Sequence, residues 1–338
     1  PGVPGALDGV DQGLVGHAGS PSSPSARRVA RCDPAPRYTQ LPLRGQWRAH
    51  GRGAKTGAPT RSGTPEIALQ KRHDNRRLFP SADVDAERAR HIERTPQTAS
   101  PSYRLAFADP DFLGRDEVRP VRLQLELLKS ELMIQDMGIA STVVMFGGAR
   151  VPRPGAPVPP ERAWMARYYE VAREFARLVG EECVARGGSE LVIVTGGGPG
   201  VMEAGNRGAK EAGAPTMGLS IVLPHEQAPN EHVTPELSFN FHYFAIRKFA
   251  FLRWAAAAAV FPGGFGTMDE LFEVLTLIQT RRMAPVPIVL FGEDFWRRVV
   301  GWDALVEAGT ISAEDLDLFT FVETAEEGWE AVRAGLSA

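Results

Sequence analysis

The chain is poor in residues that mark several functional classes, and each shortage excludes something. Its 338 residues include two cysteines, Cys32 and Cys183, which lie far apart and in no CxxC or His/Cys cluster. A disulfide framework and a structural zinc site are therefore not expected, and the chain reads as cytoplasmic. Cys183 falls in an apolar helical pattern, where an inert buried thiol is the expected state. No apolar run approaches the roughly 20 residues of a membrane span. No compact apolar segment near the start suggests a secretory signal. An excess of one charge sign is missing too, because 38 Lys+Arg against 41 Asp+Glu leave a net charge of -3. No overall basic field for nucleic acid follows from that balance.

A folding pattern is also lacking from the first hundred residues. Residues 1–64 are rich in Pro, Gly, Ser, Ala and Arg without sustained periodicity. Such a segment cannot bury enough apolar surface to offset its chain entropy. Its basic bias suits a solvated tail or contact with RNA or an anionic surface, and a spurious upstream extension of the reading frame is a further reading. Residues 66–101 keep a high charge, in LQKRHDNRR and DVDAERARHIERT, and allow a short helix but no core. The expected division is a disordered basic extension over 1–100 and one folded domain over 101–338.

From about residue 102 the pattern becomes regular. Residues 120–137 place Leu123, Leu125, Leu127, Leu128, Leu132 and Met133 mostly on one helical face. This helix is expected to dock on the main domain or on a partner subunit. Strands are expected at 141–146, 191–195, 216–223, 238–241, 255–261, 286–291 and 318–322. Helices alternate with them, at 161–185, 201–212, 243–254, after Thr267, at 294–308 and at 325–334. This alternation predicts an α/β, Rossmann-like doubly wound parallel sheet covered by helices on both faces. Ligands of such sheets bind beyond the carboxyl ends of the strands. Glycine turns follow Phe146, Thr195 and Phe261, so they should converge on one rim, with Gly147 opening the first.

The stretch with the most chemistry is VFPGGFGTMDE, residues 260–270. It reads as a buried strand, a glycine turn at Gly263, Gly264 and Gly266, and a helix start capped by Thr267. Unpaired N–H groups at that helix start make an anion site, most naturally for phosphate. Glu270 lies one turn inside and suits chemistry beside the phosphate. Thr267-x-x-Glu270 also fits a capping box, in which the acid merely closes the helix. The second turn, Gly196-Gly197-Gly198-Pro199-Gly200, lacks dinucleotide spacing because Val201 stands where GxGxxG needs glycine, and no GK[ST] occurs. Nicotinamide dehydrogenases and P-loop nucleoside triphosphatases are thereby excluded. A tight helix–strand turn is its plain account.

Arg247, early in the helix before PGGFGT, can hold phosphate bidentately or fix Glu270 and the ribose. A surface helical arginine is the alternative, though its neighbours are apolar. Lys248 reads equally as a phosphate contact or a surface charge, and Glu226 as a base or ribose contact or a solvated loop acid. Asn206 is within the region that could reach a ligand. His225 and His242 are isolated, so no metal ligand set and no cofactor are expected.

TGGGPGVMEAGNRGA together with FPGGFGTMDELFE resembles the LONELY GUY (LOG) family, long labelled lysine decarboxylase-like, whose hallmark is PGGxGTxxE. The resemblance covers about residues 102–334. It implies cleavage of the N-glycosidic bond of nucleoside 5'-monophosphates, giving free base and ribose 5-phosphate. It also implies catalytic roles for Arg247 and Glu270, and a phosphate loop at Gly263, Gly264, Gly266 and Thr267. The loop Gly196, Gly197, Gly198 and Gly200 would flank the ribose. Departures from the plant-like pattern, GGGPGVMEAG and Phe251, shift the expectation from cytokinin nucleotides toward AMP. The partner expected is thus a small nucleoside monophosphate, with no nucleic acid and no membrane, in a homodimer or larger homo-oligomer with sites near the interface. The rival readings are a pyridoxal-phosphate decarboxylase, which needs a Schiff-base lysine, and a non-catalytic nucleotide carrier.

Overall fold

The computed structural model describes residues 79–224 and 228–337. Residues 1–78, most of the expected extension, lie outside the described residues, as do His225 and Glu226. Helix α1 (Ala82–Arg90) forms the short helix that the charged stretch allows, and it buries none of its residues. A four-residue helix, α2 (Pro110–Leu113), is capped by the Asp109 carboxylate, which accepts from the Asp111 and Phe112 N–H groups. It leads into α3 (Arg119–Asp136).

The core alternates strand and helix. The strands are β1 (Thr142–Phe146), β2 (Val192–Thr195), β3 (Thr216–Ile221), β4 (Ser238–Phe241), β5 (Ala255–Val260), β6 (Ile288–Phe291) and β7 (Thr320–Val322). The helices are α4 (Arg167–Ala185), α5 (Val201–Glu211), α6 (Phe244–Arg253), α7 (Phe265–Gln279), α8 (Glu293–Val299), α9 (Trp302–Glu307) and α10 (Ala325–Ser337). The single helix expected over 294–308 is two, because Val300 is extended and Gly301 leaves helical geometry. The long helix expected over 161–185 begins as a 3-10 turn, Pro160–Met165, before α4 proper.

The seven strands among the described residues are all parallel, in the order β4-β3-β2-β1-β5-β6-β7. Helices cover both faces, which is why the central strands are apolar without alternation. In β1, Val144 and Phe146 face one core with Phe251 and Leu271, while Val143 and Met145 face the other with Phe175 and Ala204. Chain order reverses beside β1. The first half winds outward from β1 to β4, and β5 returns to the opposite side of β1. The gap beyond the carboxyl ends of β1 and β5 is therefore the switch point where such a sheet offers a crevice.

Candidate active site

A cavity of about 270 Å³ opens at that switch point. Its wall joins the turns after β1, β2 and β5 to helices α6 and α7. Gly147, Gly196, Gly264, Gly266, Thr267, Arg247 and Glu270 all line it. Gly197, Gly198, Gly200, Lys248 and Gly263 do not.

The turn after β2 is shaped for Arg247. A Cβ on Gly196 would meet the Arg247 Nη2 atom at 2.6 Å, so only glycine leaves the guanidinium its place. Gly200 has φ +70°, and its Cβ would run into the Gly148 carbonyl of the turn after β1, which locks these two turns together. Gly197 and Gly198 serve the turn rather than the cavity. The Asn230 side chain donates to both their carbonyls, at 3.0 and 3.1 Å, and to the Asn206 side-chain oxygen at 2.9 Å. Asn206 is fully buried, accepts from the Thr195 hydroxyl at 2.7 Å and donates to the Thr216 hydroxyl at 2.6 Å. Its amide is consumed by this network, so it cannot reach a ligand.

The PGGFGT turn departs from the expected cap. Helix α7 starts at Phe265 with Gly264 as its N-cap and without any side-chain cap hydrogen bond. Thr267 is the third helical residue, and Glu270 the sixth. The capping-box account of Glu270 therefore falls, since the acid lies too far along the helix to reach the N-cap N–H. Gly263 lies against the Thr267 side chain, which occupies the space its Cβ would need. At Gly264 and Gly266 a Cβ would meet nothing within 4 Å. Bare backbone at the start of a 15-residue helix thus faces open space, an arrangement suited to an anion.

Arg247 and Glu270 face the cavity in contrasting states. The Arg247 Nε–H donates to the Leu219 carbonyl at 2.8 Å, and the guanidinium lies 5.2 Å above the Phe251 ring. Burial lowers its pKa, while the nearby Glu270 charge opposes that shift. Glu270 is 8% exposed, and its Oε2 has no hydrogen-bond partner. Burial pushes its carboxyl up to about 7, against the pull of Arg247 and Lys248. The two side chains share a cavity without forming an ion pair. An orphaned buried carboxylate oxygen is costly and calls for a functional account.

Lys248, which read equally as a phosphate contact or a surface charge, faces helix α7. Its ammonium pairs with Asp269 at 2.8 Å and Glu273 at 2.9 Å, both on α7. Helix α6 is also held by α3. The Glu126 carboxylate accepts from the His242 and Tyr243 N–H groups at 2.8 and 3.2 Å, Arg122 reaches the Tyr243 hydroxyl, and Glu131 pairs with Arg253. Sequence reasoning missed Glu126 and Asn230. Glu126 acts on groups more than a hundred positions away, which no local pattern reveals. Asn230 offered a faint signal as a turn residue just after a proline.

Comparison with known proteins bears on the same region. The family model described as "Possible lysine decarboxylase" matches residues 202–332. No curated protein matches the chain. Among solved structures, the molybdenum cofactor binding protein from Rippkaea orientalis is 18% identical, covering 58% of this chain and 96% of that one, with a TM-score of 0.38. The molybdenum cofactor carrier protein from Chlamydomonas reinhardtii is 20% identical, covering 59% and 99%, with a TM-score of 0.36. The matched residues include Arg247, Lys248 and the whole of PGGFGTMDE, so the part of the chain that carries the site is similar to that lysine decarboxylase-like family.

Proposed function

We propose that the protein hydrolyses the N-glycosidic bond of nucleoside 5'-monophosphates, with AMP as its substrate. The observation that carries this reading is the buried Glu270 carboxylate, its Oε2 unpartnered, sharing one cavity with a desolvated arginine and an open helix start. Phosphate would lie on the bare backbone at Gly264 and Gly266, where N–H groups and the helix dipole favour an anion. Cleavage breaks the bond between the anomeric carbon and the base nitrogen. Water supplies a hydroxyl to the sugar and a proton to the base. Positive charge builds on the ribose as that bond opens, and an ionised Glu270 stabilises it or orients the attacking water. Low polarity around the carboxylate strengthens either effect. Among the described residues Arg247 is the one cation in the cavity wall, and it serves the ribose phosphate or the Glu270 charge.

The decarboxylase label finds little support in this geometry. Among the described residues no lysine lines the cavity; Lys248 is held by two carboxylates and Lys210 by the Glu231 carbonyl. A carrier that binds without turnover differs in one measurable respect. Purified protein incubated with AMP should yield adenine and ribose 5-phosphate by chromatography, and binding without product would favour the carrier. The same assay with CMP, GMP and prenylated AMP separates the AMP reading from cytokinin nucleotide hydrolysis.

A further inference from the structure

Lys248 has a role to explain. Its side chain is 17% exposed, yet it does not line the cavity at the switch point, and its ammonium pairs with two α7 carboxylates. Those carboxylates are not arbitrary. Asp269 immediately precedes Glu270, Glu273 lies one turn after it, and Lys248 immediately follows Arg247. The brace between α6 and α7 thus sits at the level of the two cavity-facing groups.

We propose that Lys248 is a positioning residue whose ammonium, shared between Asp269 and Glu273, fixes α6 against α7 and balances the two anions that flank Glu270. Four charged groups act on Glu270: Arg247 and Lys248 from α6, and Asp269 and Glu273 from its own helix. Two positive charges meet two negative ones. Removing Lys248 leaves two anions opposed by Arg247 alone, which disfavours ionisation of Glu270. Removing the two flanking carboxylates leaves two cations unopposed and favours it. Partly exposed ion pairs contribute little to global stability, so the variants should fold.

These opposite signs are what a merely structural brace would not produce. In Lys248→Met the midpoint of the acid limb of AMP hydrolysis should move up by roughly one pH unit, the size of a Coulomb term at about ten ångströms and intermediate polarity. In the double variant Asp269→Asn with Glu273→Gln the midpoint should move down. Lys248→Arg keeps the charge and should stay within a few tenths of the parent. The role for Lys248 rests on the proposed hydrolase activity only in this readout. A second readout is independent of it: carbon-13 NMR titration of the Glu270 carboxyl, assigned by its loss in Glu270→Gln. If the parent protein never hydrolyses AMP, the hydrolase reading fails and the NMR titration still decides the role of Lys248. A Glu270 midpoint that ignores both charge changes, or moves the same way in both, overturns the proposal.

Discussion

Replacing Glu270 with glutamine separates a carboxylate kept for chemistry from one kept for folding. The carboxyl titrates near 7 in the fold, against about 4.5 when unfolded. The folded state therefore holds its proton more tightly, and stability falls as pH rises between those two values. Below about pH 4.5 both states are protonated and burial of the charge costs nothing. Above about 7 the full penalty applies, on the order of 3 kcal/mol from the shift. Glutamine has the shape of the protonated acid and never ionises. Glu270→Gln should thus match the parent near pH 4.5 and exceed it in the weakly alkaline range. For a domain of this size the gain is roughly 6–12 °C in melting temperature. Calorimetry at the two pH values measures it, with AMP hydrolysis followed in parallel. Hydrolysis should collapse where stability rises. A variant that is active, or that melts lower than the parent at alkaline pH, would refute the reasoning.

Other outcomes follow from the same geometry. Gly196→Ala forces only the ends of two flexible side chains, Arg247 and Met202, aside, so the fold should lose about 1 kcal/mol or less while AMP hydrolysis drops at least tenfold. Gly200→Ala meets backbone at a positive φ and should cost roughly 2 kcal/mol or more by chemical denaturation. On α3, Val121, Leu125, Leu128 and Leu132 are 45–53% exposed and fall on the side opposite the buried Ser130 and Ile134. Their spacing reads the same in both directions, which suits an antiparallel pairing of two copies about a two-fold axis. Light scattering should show a dimer or larger species whose mass falls when Leu125 and Leu128 become glutamate, and an unchanged mass would remove this stripe as the contact.

Much of the fold was legible because buried parallel strands announce themselves. Runs such as STVVMF and VPIVLF carry no polar alternation, and every expected strand has a counterpart within a few residues. The site was half legible. Glycine turns at strand ends converge by topology, so Gly147, Gly196 and Gly264 were placed on one rim by counting strands alone. Thr267 was misplaced as a cap because Thr-x-x-Glu has the same spacing inside a helix as at its start, and backbone geometry decides which applies. Lys248 looked like its neighbour Arg247, but one position along a helix turns a side chain by about a hundred degrees, from the cavity to α7. Glu126 and the Asn206–Asn230 network depend on long-range partners, and local periodicity carries nothing about them.

The topology also constrains how such a protein can vary. Arg247 and Glu270 stand twenty-three positions apart in the chain, and almost all of that interval is helix α6, strand β5 and helix α7. Each piece is pinned elsewhere, α6 by α3 and α7, β5 by β1 and β6. A residue gained or lost in β5 would turn its alternate side chains to the wrong faces of the sheet. The interval therefore behaves as a ruler, with no slack to absorb insertions. The connection between β3 and β4, by contrast, has no sheet register to keep over most of its length. Length variation among related chains should gather there, leaving the distance from arginine to glutamate as a more dependable signature than either residue alone.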